Sequence, residues 1–312
     1  MFSVEPLSEG LPYGVVVRGL TAKDIEDRDN QLRLRDLWLR HGVILYKDVE
    51  VTPALHIELS RVFGPLQRHF IEDKLVDGQP ELVRFSSDAE QEGIAEVDGE
   101  LRCGAQPWHA DAHSHGSPTH GGILHVTVSP PEGGETGVTC MINAYQRLPQ
   151  PLKDRIEGLE TLYKIRMDEE QFRFVPRQTF RLVQLGSYHK EVQRRQDTDF
   201  PPVAHPLVVV QQGTGRKALN ISPASLRGVL GWSRAAGDEL LQDLLWRASD
   251  PSQAYVHKWA GDGSEMLQWD NLRVLHMARG VRPGEVREAR RTTIAAPGPV
   301  GRRLEHEVLE QL

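Results

Sequence analysis

Two side chains that can bind a metal stand two positions apart in the stretch Trp108-His109-Ala110-Asp111. In an extended strand, residues i and i+2 point to the same face, so the His109 imidazole and the Asp111 carboxylate can reach a common ion. A second histidine would complete the facial triad of two histidines and one carboxylate that is typical of non-haem Fe(II) oxygenases. On its own the pair carries little weight, because His-x-Asp arises by chance in many chains.

His276 is the best candidate for the second histidine, because a turn after Trp269 leads into the strand that would carry it. Eleven residues later comes Arg287, and four beyond it Arg291. Arginine is always charged and grips a carboxylate with two parallel hydrogen bonds. A ketoacid that chelates iron at one end would need such a grip at its other end. The Thr136 hydroxyl could donate a further hydrogen bond to the same carboxylate.

The elements that would position these residues are many short strands, with helices mainly near the front of the chain. Apolar runs predict strands at residues 11–20, 43–46, 82–85, 123–128, 136–141, 205–211, 218–222, 254–259, 265–269, 273–277 and 291–295. Helices are predicted at residues 25–41, 53–63, 152–156, 237–248 and in the tail at 302–312. Residues 86–103 are acidic and polar and are predicted to form a long loop.

This pattern predicts an α+β fold in which helices flank a jelly-roll core, that is, a cupin-like double-stranded β-helix. The 312 residues are 39% hydrophobic, and we expect residues 1–312 to form a single domain. Residues 160–203 are dense in charge. They form either a solvated face or a lid over the active site.

Composition narrows the class of function. The formal net charge of −7 argues against nucleic-acid binding. Cys103 and Cys140 are predicted to be free, buried thiols rather than part of a disulfide framework. No signal peptide is recognised, and no apolar run approaches the roughly 18 residues that a membrane span needs. We therefore expect a cytoplasmic protein whose partner is a small molecule. The apolar side of the tail leaves docking on a second copy, and so a homo-oligomer, open.

The ordered set of motifs resembles a known family. WHAD, EGGET, WDNLRVLH and RxxxRTT follow one another at spacings similar to those of the Fe(II)- and 2-oxoglutarate-dependent dioxygenases of the taurine dioxygenase and phenoxyacetate dioxygenase (TauD/TfdA) type. The resemblance extends to RLRDLWLRHGVILYKD near the front and to HPLVVVQQGTGRKAL and YVHKW later in the chain. Each motif alone is unspecific, but the ordered set is highly specific.

The resemblance implies a role for each matching residue. His109, Asp111 and His276 match the iron ligands. The resemblance also implies three reactants, namely 2-oxoglutarate, the substrate and O2. Two residues match those that hold the far carboxylate of 2-oxoglutarate, namely Thr136 and Arg287. Two further residues match positions that meet the anionic group of the substrate in the taurine enzyme, namely His69 and Arg291.

Two departures from the family pattern concern the substrate side. Relatives often carry Asn four residues before the first ligand, where this chain has Ala105. His113 and His115 stand where relatives usually have apolar or small residues. If the strand of His109 continues, both would share its face and line the rim of the pocket. They are therefore candidate substrate contacts.

The expected function is an oxidoreductase that oxidises a C–H bond of a small carboxylate or sulfonate, with hydroxylation as the usual outcome and release of succinate and CO2. The carboxylate of Asp111 argues against halogenation, since halogenating relatives lack it. Desaturation or ring closure in secondary metabolism stays open. Two rivals from other classes are a non-catalytic, metal-dependent sensor of small acids and a zinc-dependent hydrolase. The hydrolase would leave Thr136 and Arg287 without a role.

Overall fold

The computed structural model describes residues 2–68, 74–76, 78–114 and 119–305, and within them strands dominate. The strands are β1 (Ser3–Pro6), β2 (Val15–Arg18), β3 (Val43–Lys47), β4 (Leu75–Val76), β5 (Gln79–Ser86), β6 (Ile94–Val97), β7 (Glu100–Cys103), β8 (Gln106–His109), β9 (Gly121–Val128), β10 (Thr136–Cys140), β11 (Glu160–Tyr163), β12 (Phe180–Gln184), β13 (Val203–Pro206), β14 (Val208–Val210), β15 (Lys217–Leu219), β16 (Leu226–Val229), β17 (Ala254–His257), β18 (Met266–Asp270), β19 (Val274–Ala278), β20 (Glu288–Ile294) and β21 (Arg302–Arg303).

The helices are fewer, and several of them pack against the sheets. They are α1 (Ala22–Glu26), α2 (Arg28–His41), α3 (Pro53–Arg61), α4 (Ala89–Glu92), α5 (Met141–Arg147), α6 (Gln150–Ile156), α7 (Ser187–Arg195) and α8 (Arg234–Ala248), with short 3-10 helices at Glu169–Phe172 and Pro251–Gln253. Mixed helices and mainly antiparallel sheets make this an α+β fold.

Two sheets carry the residues of interest. The larger has eight strands in the order β1-β2-β3-β18-β9-β20-β5-β4, and the smaller has four in the order β17-β10-β19-β8. Successive side chains along the strands of the larger sheet point to opposite faces of that sheet. In β9, Ile123 packs with the front helices, whereas Leu124 and Val126 pack in the cluster that includes Val138 and Leu275 of the smaller sheet. One core therefore lies under the helices, and the other joins the two sheets.

The front helices form where capping chemistry predicts them, with one correction. Thr52 caps α3 by accepting a hydrogen bond from the Leu55 amide, and Gly42 ends α2 with a φ of 75°. The helix predicted at 25–41 is interrupted at Asp27, where the backbone is extended and the side chain accepts from the Asn30 amide. Asp27 therefore ends α1 and caps α2, a role that short polar side chains favour.

The largest error in the sequence-based assignment is the loop at residues 86–103. This segment forms α4 and the hairpin of β6 and β7, and β6 pairs with β12 from the charged segment at 160–203. The three strands make a separate sheet in the order β12-β6-β7. Helix α5, which directly follows β10, was not predicted either. Both elements depend on partners that are distant in the sequence.

The end of the chain also differs from the prediction. Arg302 and Arg303 form β21, which pairs with Val203 and Ala204, rather than beginning a helix. Residues 306–312 of the predicted tail helix lie outside the described residues. Cys103 and Cys140 are free and buried, as predicted. Within the described part of the chain, no helix combines the length and the apolar composition that crossing a bilayer requires.

Candidate metal centre and cosubstrate cavity

Neighbouring strands of the smaller sheet bring the three candidate ligands together. His109 ends β8 and lies opposite His276 of β19 in the antiparallel register. Asp111 follows in the turn after β8. One ligand atom from each of the three residues can be chosen so that all lie within 4.8 Å of one another. Asp111 Oδ1 is 3.6 Å from His109 Nε2, and Asp111 Oδ2 is 3.5 Å from His276 Nε2.

Backbone hydrogen bonds fix the position of Asp111. Its amide donates to Asn271 Oδ1 at 2.7 Å, and Asn271 Nδ2 donates back to its carbonyl at 3.0 Å. The preceding Ala110 amide donates to Ser222 Oγ at 3.1 Å. The sequence predicted only that Asn271 shapes the turn before His276. In the structure it joins that turn to the carboxylate ligand, 160 residues away.

The donor atoms of the three residues suit a divalent metal. His109 Nδ1 donates to the Pro107 carbonyl at 2.8 Å, which leaves a lone pair on Nε2. Burial, and next the electrostatic effect of the neighbouring His109 ring, lower the pKa of His276 to about 4, so the His276 ring is neutral at pH 7. Burial would raise the pKa of Asp111, but the Arg291 guanidinium and the two histidines hold it well below its usual range. Two imidazole nitrogens and one carboxylate match the donor set of a non-haem Fe(II) centre.

Arg291 contacts a proposed metal ligand directly. It lies on β20 of the larger sheet, and its Nη2 donates to Asp111 Oδ2. Its guanidinium lies over the Trp269 ring, 5.1 Å from the centroid. The same ring is 4.4 Å from that of His276. The sequence placed Arg291 at the substrate, and the structure shows that it lines the cavity while it is bonded to the triad.

Arg287 and Thr136 line the same cavity as the triad. Arg287 Nε donates to the Gly134 carbonyl at 3.2 Å, and within the described residues this guanidinium makes no ion pair. Burial lowers the pKa of Arg287 to about 10, so it remains charged at pH 7. Thr136 Oγ1 accepts a hydrogen bond from Trp259 Nε1 at 3.1 Å. Its hydroxyl hydrogen therefore remains available. The sequence analysis included Trp259 in the YVHKW motif but assigned it no role.

The cavity has a volume of about 300 Å³, and its walls differ in chemistry. The triad, Arg287 and Arg291 form a polar end. The 160–203 segment contributes a mainly apolar wall, which comprises Ile165, Met167, Phe172, Phe180, Leu182 and Val192. The lining also includes an ion pair in which Lys74 Nζ is 2.6 Å from Glu92 Oε1, with the side chains only 4% and 10% exposed. The sequence did not predict this pair.

The remaining predicted substrate residues fare differently. His113 lines the cavity, but it does not continue a strand from His109, because the chain turns at Ala112 with a φ of 52°. It is buried and stacks on His205, with ring centroids 4.4 Å apart. His69 and His115 lie outside the described residues, so their predicted roles remain untested.

Comparisons with known proteins agree with the sequence motifs. The family described as "Taurine catabolism dioxygenase TauD, TfdA family" matches residues 3–293. The (S)-phenoxypropionate/alpha-ketoglutarate-dioxygenase of Sphingobium herbicidovorans is 29% identical over 283 residues, which cover 89% of this chain and 89% of that protein. The alpha-ketoglutarate-dependent 2,4-dichlorophenoxyacetate dioxygenase of a Burkholderia species is 29% identical over 301 residues, which cover 93% of this chain and 92% of that protein.

A taurine dioxygenase structure from Burkholderia xenovorans has the same fold, with a TM-score of 0.72 at 22% identity, and the match covers 100% of this chain and 99% of that one. The chain belongs to the TauD, TfdA family, which confirms the resemblance seen in the motifs. Because the family and the two relatives named above are alpha-ketoglutarate-dependent dioxygenases, the protein is an enzyme of the oxidoreductase class.

Proposed function

We propose that this protein is an Fe(II)- and 2-oxoglutarate-dependent dioxygenase that hydroxylates a C–H bond of a small organic anion. The observation that carries the proposal is the shared cavity. The triad of His109, Asp111 and His276 lines one space with the guanidinium of Arg287, which makes no ion pair within the described residues. A metal site alone would fit many activities. A second, cationic anchor in the same cavity is what a dicarboxylate that binds the metal at its other end requires.

Each side chain has a distinct task in this proposal. The triad would hold Fe(II) through the imidazoles of His109 and His276 and the carboxylate of Asp111. Arg287 binds the far carboxylate of 2-oxoglutarate, and Thr136 donates a hydrogen bond to it. Trp259 orients the Thr136 hydroxyl through the bond to its oxygen. When bound, the iron and 2-oxoglutarate together supply the redox chemistry, in which the ketoacid yields succinate and CO2 and the substrate gains one oxygen atom.

The substrate class follows from the other walls of the cavity. The cationic Arg291 favours an anionic group, either a carboxylate or a sulfonate, and we propose that Arg291 faces it. Burial holds the pKa of His113 well below its usual range, so we propose that His113 meets the same group as a neutral hydrogen-bond donor. The relatives named above act on phenoxypropionate and 2,4-dichlorophenoxyacetate, which are small carboxylates. The apolar wall of the 160–203 segment suits an uncharged organic body and excludes water from it. We propose that this segment acts as a lid.

The scaffold proposed for this chemistry is the double-stranded β-helix. Its two halves would be the eight-stranded and four-stranded sheets, since side chains from both line the cavity. Trp269 and Arg291 come from the larger sheet, and Thr136 and His276 come from the smaller one. The site thus lies at the mouth between two sheets, where β folds commonly bind small ligands.

The test uses Fe(II) and 2-oxoglutarate before any substrate is known. Anaerobic addition of both should give a weak visible charge-transfer band, and admission of O2 should then yield succinate. A panel of small carboxylates and sulfonates is screened for increased succinate release. His109→Ala and Asp111→Ala should abolish the band and the succinate. His125→Gln is the matched control, because His125 bonds the Gly263 carbonyl and does not line the cavity.

The rival functions give different results. A zinc-dependent hydrolase would turn over without O2 or ketoacid, and a sensor of small acids would bind them without forming succinate above background. Full iron-dependent turnover in both His109→Ala and Asp111→Ala would refute the proposed site.

A further inference from the structure

Arg291 occupies a fitted position beside the triad. Its side chain is only 14% exposed, so water screens its charge poorly. The Trp269 ring lies under the guanidinium. Gly122 of β9 leaves the space on which Arg291 depends, because a Cβ atom there would lie 2.8 Å from Arg291 Nε. The guanidinium is therefore held close to Asp111 by its surroundings as well as by the ion pair.

One carboxylate serves two sets of partners at this position. Asp111 Oδ2 accepts from Arg291 Nη2 and also faces His276 Nε2 at 3.5 Å. A divalent cation held by the triad would share that carboxylate with the guanidinium. A single negative charge cannot neutralise three positive charges, and like charges a few ångströms apart repel strongly where water is scarce.

We propose that Arg291 is an internal counter-ion of Asp111 that competes with a divalent cation for the carboxylate and so weakens the metal affinity of the triad. The inference rests on the proposed function, since it takes the triad as a metal site. In the simpler view, a residue that hydrogen-bonds a metal ligand orients that ligand and so strengthens metal binding. Our proposal predicts the opposite effect for Arg291. Arg291 also positions Asp111, but we expect its charge to outweigh that effect.

The competition links the metal to the anion in the cavity. Arg291 Nε is buried and has no hydrogen-bond partner among the described residues, so the guanidinium retains a donor for an anionic group. An anion that draws Arg291 away from Asp111 strengthens metal binding. By reciprocity, a metal that engages Asp111 strengthens the capture of that anion by Arg291 to the same degree.

The experiment measures Mn²⁺ binding to the purified protein by the electron paramagnetic resonance signal of the free ion, with no turnover required. Arg291→Gln should bind Mn²⁺ about tenfold more tightly than the unchanged protein, because it removes the competing charge. The metal-free variant should also melt at a lower temperature, because a poorly hydrated carboxylate then lacks its partner. Arg291→Lys, which keeps the charge, should remain within about threefold of the original affinity.

Arg290→Gln is the matched control, since it removes the same charge from the next position of β20 and alternation places that side chain on the other face. Its Mn²⁺ affinity should stay within about threefold of the original. Unchanged or weaker Mn²⁺ binding by Arg291→Gln overturns the proposal. If that variant fails to fold, Arg291→Met, which keeps the apolar stem over Trp269, must show the same tightening. Asp111→Asn separates the two claims: Mn²⁺ binding that survives it would overturn the metal site itself.

Discussion

Arg287 and Arg291 are four residues apart and line one cavity, yet they are in opposite electrostatic situations. Arg291 is bonded to Asp111, whereas Arg287 is tied only to the Gly134 carbonyl and makes no ion pair within the described residues. A poorly hydrated charge without a partner costs free energy. The charge of Arg291 is therefore neutralised within the chain, whereas the charge of Arg287 is the one that our proposal assigns to an external carboxylate. The type of side chain alone does not decide its role; the nearest carboxylate does.

The largest expected effect separates the two arginines by their influence on 2-oxoglutarate. Arg287→Met should raise the KM for 2-oxoglutarate by about 100-fold, since it removes a charge-assisted, two-bond grip on a carboxylate. Arg291→Met should change this KM by less than about threefold. Initial rates of succinate release at varied 2-oxoglutarate provide the measurement. Equal effects in the two variants would abolish the distinction between the arginines.

A second change would give Arg287 a carboxylate partner of its own. Lys74 neutralises Glu92, whose negative charge acts on Arg287. Lys74→Met should leave Glu92 to attract Arg287 and raise the KM for 2-oxoglutarate about tenfold. Adding Glu92→Gln should restore most of the loss, and Glu92→Gln alone provides the fourth corner of the cycle. No recovery in the double variant would show that Lys74 acts in another way.

A smaller effect concerns the hydroxyl that shares the proposed task of Arg287. Thr136→Val keeps the shape of the side chain but removes the donor, and we expect a rise of about fivefold in the KM for 2-oxoglutarate. Trp259→Phe removes only the indole N–H that orients the hydroxyl, so its effect should be smaller still. The same kinetic assay applies. An effect of Trp259→Phe as large as that of Thr136→Val would contradict the proposed order.

The protonation of the buried His56 sets the pH range in which the two arginines should be compared. Burial lowers the pKa of His56, which lies under β9, to about 3, against about 6.5 in the unfolded chain. As the pH falls, His56 therefore takes up a proton in the unfolded state before it does so in the folded state. The contribution of the neutral His56 ring to the free energy of unfolding is fully present above pH 6.5. It falls by about 1.4 kcal/mol per pH unit as the pH drops from 6.5 toward 3. Denaturant unfolding at pH 5.5 and 7.5, that is about one unit on either side of 6.5, measures it, and His56→Gln should show the smaller difference.

Much of the candidate site was predictable because its residues obey local rules. His109 and Asp111 have the spacing of a ligand pair and His276 lies in a predicted strand, although β8 ends at His109 and Asp111 reaches the site from the turn that follows. The caps of α2 and α3 are explicit in the residues at Gly42 and Thr52. The errors arise where a distant partner decides the structure. Strand β6 forms against β12, with Glu96 and Arg181 paired across 85 positions. No local pattern in an acidic segment indicates such a partner.

The same reason explains the side-chain contacts that the sequence could not supply. The bond of Arg291 to Asp111, the Lys74–Glu92 pair and the Trp259 donor each join segments that meet only in the folded chain. His113 departs from its predicted strand because the chain turns at Ala112 in a left-handed conformation, which non-glycine residues rarely adopt.

The separate sheet β12-β6-β7 has a consequence for how the substrate specificity of this enzyme could change. The aromatic side chains at Phe172 and Phe180 belong to a part of the molecule that shares no strand with the two sheets holding the triad and Arg291. Exchanges at these two positions should reshape the apolar wall of the cavity and leave the strands that carry His109 and His276 in place. The substrate specificity could therefore be changed separately from the proposed reaction. A library of variants confined to this apolar wall is the direct way to search for new substrates.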